Sequence, residues 1–200
     1  MMTKIQGPRS GLGSAPTLAS VALSTLLVLS SCGGSATSAS SRASSAPAPL
    51  EPPTGTGALG AVPDPEWRLR TLAGEEIRLG DTRGGPVLVN LWATWCPPCV
   101  EELGSIDRLA ERVADAGVQF LLVTPEDEGP VGDFLARRPL AVPVYLEGTL
   151  APEAFGVIVL PTTFILDAEG VIRLHHRGAS EWDSPEVEAF LRALSAEGPS

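Results

Sequence analysis

Two cysteines set two residues apart, Cys96 and Cys99, close the stretch Trp92-Ala93-Thr94-Trp95-Cys96-Pro97-Pro98-Cys99. An apolar run, Val87-Leu88-Val89-Asn90-Leu91-Trp92, leads into them, and Leu103, Ile106, Leu109, Ala110 and Val113 follow at spacings of three and four. The run suits a strand covered on both faces, and the spacing suits an amphipathic helix ending near Gly117. The thiol pair therefore sits at a strand-to-helix turn. At a helix start, unpaired backbone N–H groups and the positive end of the macrodipole favour a thiolate, the form that attacks disulfides. Cys96 is accordingly the candidate nucleophile. Cys99, one turn further in, is shielded and close enough to resolve the mixed disulfide that Cys96 forms. The alternatives are a structural disulfide or half a zinc site, but the body of the chain has no second cysteine pair to complete one.

The rest of the chain reads as a frame around that turn. Trp67 to Leu72 and Glu76 to Leu79 alternate about Ala73-Gly74-Glu75, which predicts an N-terminal β-hairpin. Val118 to Val123 is a second buried strand, so strand, helix and strand imply a right-handed parallel crossover. A polar loop, 125–130, precedes a short helix from about Val131 to Arg138. Val142 to Leu146 is a weaker strand, with Pro143 marking an edge or a strand start. Leu150 to Phe155 makes one or two helical turns closed by Gly156. Thr162 to Leu166 and Val171 to His176 flank the turn Asp167-Ala168-Glu169-Gly170 as an antiparallel hairpin. Ser184 as cap and Pro185 at the first position open a last helix that buries Val187, Phe190, Leu191 and Leu194. The expected class is α/β, a mixed central sheet with helices on both faces. Trp92 reads as core and Trp95 as the apolar rim beside Cys96. His175 and His176 alternate on a strand, so they do not chelate together easily, and they read as a solvated strand end. No metal site is expected.

The N-terminus has a secretory layout: Lys4 and Arg9, then an apolar core from Leu18 to Leu29, shorter than the ~20 residues a membrane span needs. It ends in Leu29-Ser30-Ser31-Cys32, which resembles the bacterial lipobox, so residues 1–31 read as a signal and Cys32 as the lipidated anchor. The alternative is an ordinary cleavage with Cys32 incidental. Residues 32–60 are rich in Ser, Pro and Gly and build no core, so they read as a tether with a reach of roughly 30 Å. The working domain then spans 61–197. Removing Lys4 and Arg9 from the 14 basic residues leaves 12 against 24 acids, a net charge of −12 from Cys32 onward. An acidic chain without a basic stripe argues against nucleic acid as a partner.

The Asn90 to Cys99 motif, Glu101-Glu102, Val159-Leu160-Pro161-Thr162-Thr163 and the 167–170 turn together resemble the TlpA/ResA-like thiol-disulfide reductases of the thioredoxin superfamily. The resemblance covers roughly residues 61 to 196 and implies a thioredoxin-like fold. It implies that Glu102 belongs to the active site; the plain alternative is one more solvated helix acid. Asn90 stands where thioredoxin itself has a buried Asp that transfers protons. The family usually has a Pro where this chain has Gly104, which leaves the usual helix kink open. Pro161 matches the cis-proline loop, with Leu160 beside it touching the client, and the alternative is an ordinary trans proline. Trp95, Pro97 and Pro98 complete the client surface.

Pro97 and Pro98 fit the first helical turn, but each removes an N–H that could point at the Cys96 sulfur. The thiolate is then less stabilised than in strongly oxidising relatives, which leans toward a reductase. The implied function is an extracytoplasmic, lipid-anchored protein-disulfide reductase needing no cofactor. Its expected partners are disulfide-bearing exported proteins, such as apocytochromes at their haem-attachment cysteines, and a membrane thiol donor. Alternatives are a thiol oxidant or isomerase of the same fold, and a non-enzymatic Cu(I) carrier.

Overall fold

The computed structural model describes residues 59–198 apart from 158. The signal segment, Cys32 and almost all of the tether lie outside the described residues. Among the described residues the sheet has seven strands: β1 (Arg68–Thr71), β2 (Glu76–Arg78), β3 (Val87–Leu91), β4 (Gln119–Thr124), β5 (Val144–Glu147), β6 (Thr162–Leu166) and β7 (Ile172–Arg177). Their spatial order is β2-β1-β5-β4-β3-β6-β7. β3, β4 and β5 run parallel to one another, while β1, β2, β6 and β7 add antiparallel flanks. The sheet is thus mixed, as the alternation of buried runs and hairpins implies.

β3 lies near the middle because all five of its residues are buried. Val87, Val89 and Leu91 face one way, into a cluster with Trp67, Leu69, Leu121, Val123, Phe155 and Phe164. Leu88 faces the other way, with Phe120, Leu122 and Ile165, toward Leu103, Ile106 and Leu109. Those last three belong to α1 (Pro97–Arg112) and are fully buried, a contribution of about 1.5–3 kcal/mol each. Val131 of α2 (Glu128–Arg137) and Val187, Leu191 and Leu194 of α3 (Pro185–Glu197) join the same cluster. All three α-helices therefore cover one face. On the opposite face the covering is shorter: two 3-10 turns, Leu79–Thr82 and Glu153–Phe155, bring Leu79 and Phe155 onto the strands, and Trp67 completes the layer.

Several expectations shift in detail. α1 ends at Arg112 and the chain turns through 113–117, so Gly117 closes the turn and not the helix. Its φ of +69° permits a close approach to Gly85, whose Cβ, if present, would lie 2.8 Å from the Gly117 carbonyl oxygen. α1 is continuous through Gly104. α2 starts three residues earlier than expected, taking Glu128, Gly129 and Pro130 into its first turn, where proline is tolerated. β5 is not an edge, since β1 pairs with it, and Pro143 only precedes it. His175 and His176 do not form a solvated strand end: the first is buried and the second half-buried. His175 is buried with its ring stacked at 4.5 Å on Phe164, and His176 meets Trp182 edge-on at 5.5 Å on the other face. Strand alternation sends the two rings into opposite layers.

Candidate active site

Cys96 occupies the N-cap of α1, with extended backbone angles of −98° and 101°, and Pro97 and Pro98 follow in the first turn. Its sulfur is bonded to that of Cys99, with Cα atoms 5.3 Å apart. Cys99 is wholly buried, while Cys96 is 5% exposed, so an incoming group meets Cys96 first. Trp95 is 68% exposed, and Pro97 and Pro98 are exposed beside it. The Leu160–Pro161 peptide is cis. Trp95, Cys96, Pro97, Val157, Val159 and Leu160 line an open groove of about 500 Å³. A second, mostly apolar cavity shares Val157 and Leu160 with it and continues past Leu91 and Val123 to Leu150. The chain thus gathers Cys96, the candidate nucleophile, with the rim tryptophan and the residue before the cis-proline on one surface.

Glu102 is not a solvated helix acid, being only 2% exposed. Its Oε1 accepts from Asn90 Nδ2 at 2.8 Å, and its Oε2 accepts from Trp182 Nε1 at 2.9 Å and from Ser180 N at 3.0 Å. Asn90 Nδ2 also donates to Thr163 Oγ1 at 2.8 Å, which ties the group to β6. Ser105 adds a further tie, since its Oγ accepts from Trp182 N at 3.0 Å. Burial pushes the Glu102 carboxyl up from its ordinary value of 4.5, while Trp182, Asn90 and Ser180 pull it down, and burial prevails. Three residues past Cys99 on α1, Glu102 shares a helix face with it. A carboxyl poised this way can hold or release a proton behind the resolving thiol. Trp182 and Ser180 were not singled out in the sequence; the available signal was a large aromatic residue in a loop just before a helix cap.

Glu126, in the polar loop that follows β4, also reaches the turn before Cys96. Its carboxylate accepts from both the backbone N and the hydroxyl of Thr94, at 2.6 and 2.7 Å. Among the described residues no group of three or more His, Cys, Asp and Glu side chains gathers as a metal site. The two histidines lie in different layers, against Phe164 and Trp182, and neither forms part of the groove at Cys96.

Comparison with known proteins places this geometry. A family model described as Redoxin matches residues 58–191. Thiol-disulfide oxidoreductase ResA of Halalkalibacterium halodurans is 32% identical over 132 residues, which span 64% of this chain and 73% of that protein. The crystal structure described as a thiol:disulfide interchange protein DsbE from Chlorobium tepidum aligns with a TM-score of 0.59 at 26% identity, covering 68% of this chain and 98% of that one. The pneumococcal exposed lipoprotein thioredoxin Etrx1 aligns with a TM-score of 0.52 at 26% identity, over 65% of this chain and 98% of its own.

Proposed function

This chain belongs to the Redoxin family, and on that premise we propose how it uses its dithiol. It is a thiol-disulfide oxidoreductase that reduces disulfides in exported proteins. The observation that carries this is the placement of the Cys96–Cys99 pair at the start of α1, with Cys96 at the mouth of an apolar groove and Cys99 behind it. In the reduced protein the Cys96 thiolate attacks one client sulfur, breaking the client disulfide and forming a mixed disulfide. The Cys99 thiolate then attacks Cys96 Sγ, which releases the client as a dithiol and leaves Cys96–Cys99 oxidised. Two electrons pass to the client, and a membrane thiol donor returns them.

The groove beside Leu160 and Pro161 accepts an extended client segment, with Trp95, Pro97 and Pro98 as its apolar rim. Glu102 handles the proton of the resolving step. Residues 61–197 form the working domain, with 1–31 as signal and 32–60 as tether. Cys32 carries the lipid, and the domain works outside the cytoplasm. Support for the anchor is the apolar core ending in Leu29-Ser30-Ser31-Cys32 and the likeness to a lipoprotein thioredoxin.

The direct test is a Cys99→Ser variant expressed in its native envelope. Mixed disulfides on Cys96 with exported proteins are the expected result, and none trapped would count against the reading. The direction of transfer is read separately from the potential. A value near the strong-oxidant end, about −120 mV, would make the protein an oxidant.

A further inference from the structure

The turn that delivers Cys96 is held by a carboxylate from a different element. Between the end of β3 and the start of α1, Trp92 N donates to Val123 O at 3.0 Å and Cys96 N donates to Ala93 O at 3.2 Å. The middle of that segment is held by Glu126. Its Oε2 accepts from Thr94 N at 2.6 Å, and its Oε1 accepts from Thr94 Oγ1 at 2.7 Å. Glu126 is itself fixed by Thr124, the fully buried last residue of β4. Thr124 Oγ1 donates to Glu126 Oε2 at 3.1 Å, and Glu126 N donates to Thr124 Oγ1 at 3.3 Å. One carboxylate, oriented by the strand beside β3, thus grips both donors of a residue two positions before the nucleophile.

We propose that Glu126 is a positioning residue for thiol-disulfide exchange, holding the 93–96 turn through Thr94 so that Cys96 Sγ faces a client disulfide in line. This deepens the oxidoreductase reading and rests on it. A carboxylate is the side chain that suits the task, because it accepts from the amide and the hydroxyl at once, in charge-assisted bonds. A glutamine offers one acceptor oxygen and must reverse the other bond, its NH₂ donating to the hydroxyl, so both contacts lose their charge assistance. Electrostatics alone argues against an acid here, since a nearby negative charge disfavours a thiolate. Its presence at this spot therefore fits a role in holding the turn better than a role in activating sulfur.

The test is the rate of exchange between the reduced protein and a disulfide-linked peptide as a function of pH. The midpoint of that curve follows thiolate formation, and its high-pH plateau follows how well the thiolate is presented. Small misplacements of reacting groups cost up to ~100-fold, so Glu126→Gln is expected to lower the plateau by about tenfold. Thr94→Ala lowers it in the same direction, and the double variant falls no further than the lower single one, because both act through one contact. Thr94→Ser keeps both donors and keeps the wild-type plateau. A plateau for Glu126→Gln within twofold of wild type overturns the proposal, as do single effects that multiply in the double variant. A shift of the midpoint alone also overturns it, since Glu126 would then act as a charge felt by Cys96. If Glu126→Gln does not fold, by circular dichroism, the Thr94 variants decide, and equal plateaus for Ala and Ser overturn the proposal. A wild-type protein inert toward the peptide overturns the oxidoreductase reading and this proposal with it, whereas an active wild type with an unaltered variant overturns this proposal alone.

Discussion

At Glu102, burial and hydrogen bonding pull in opposite directions, and burial leaves the carboxyl above its ordinary value of 4.5. A folded-state pKa above the unfolded one means that the folded protein holds this proton more tightly. The stability it contributes is complete below the unfolded value and is lost as pH rises through the folded one. Glu102→Gln cannot ionise, so urea denaturation should show wild type losing ground to the variant as pH rises above the ordinary value of 4.5 and through the folded one. A pH-independent penalty of up to about 1–3 kcal/mol should sit beneath that trend, because an amide oxygen that keeps Ser180 N and Trp182 Nε1 turns its NH₂ toward the Asn90 Nδ2 donor. The same variant should alter the pH dependence of thiol reactivity; an unchanged profile would reduce Glu102 to a structural acid. His175 has the opposite sign. Burial first, then Arg177 and His176, lower its pKa from 6.5, so its contribution is present at neutral pH and is lost on acidification through the folded pKa. Neither ring nitrogen has a partner. His175→Phe keeps the stack on Phe164 and removes two orphaned polar atoms. Its thermal midpoint should exceed that of wild type, by a margin that grows from pH 7 to pH 5, and a constant margin would exonerate His175.

The helix start is the element on which the redox poise depends. An N-cap side chain accepts from the second or third N–H of its helix, and here the second belongs to Pro98, which has none. Once the disulfide opens, only Cys99 N is left to serve the Cys96 thiolate. Pro98→Ala restores the missing donor, which favours the charged sulfur and with it the reduced protein. A drop of one unit in the Cys96 pKa corresponds to about 30 mV of added oxidising power in a two-electron couple. Equilibration with glutathione measures it, and an unchanged potential would remove the prolines from the explanation. Elements of this kind were open to a sequence reading because each announces itself by its own residues. The buried run of β3, the spacing of Leu103, Ile106 and Leu109, and the Ser184-Pro185 cap are all local patterns. Ser184 does cap α3, accepting from Val187 N at 3.3 Å. Glu126 and Trp182 were not open in that way, since their partners lie 32 and 80 residues distant in sequence and no periodicity reports them. The end of α1 was misplaced because Gly117 closes a run of turns that looks, in sequence, like the last part of the helix.

At the scale of the whole domain, residues 60–61 and the dithiol lie at opposite ends of the sheet. Gly60 N donates to Ile172 O and Ile172 N to Ala61 O, both at 2.9 Å, where β7 begins. Ile172 stands beside Leu166 and Leu166 beside Val87, the first residue of β3, whereas Cys96 follows the last, Leu91. The five residues of β3 at about 3.3 Å each separate the two by roughly 16 Å. With a net charge of −12 from Cys32 onward, exchange with a cationic peptide disulfide should slow as salt rises, and with an anionic one quicken. The anchor itself is tested in the full chain expressed in bacteria fed radiolabelled palmitate. Wild type should carry label and sediment with membranes. Cys32→Ser should carry none and stay in the soluble fraction, while its exchange rate with a peptide disulfide matches wild type, because Cys32 lies outside the domain that holds the reacting thiols. An unlabelled, soluble wild type would mean that the signal is cut in the ordinary way and that the dithiol works free of any membrane.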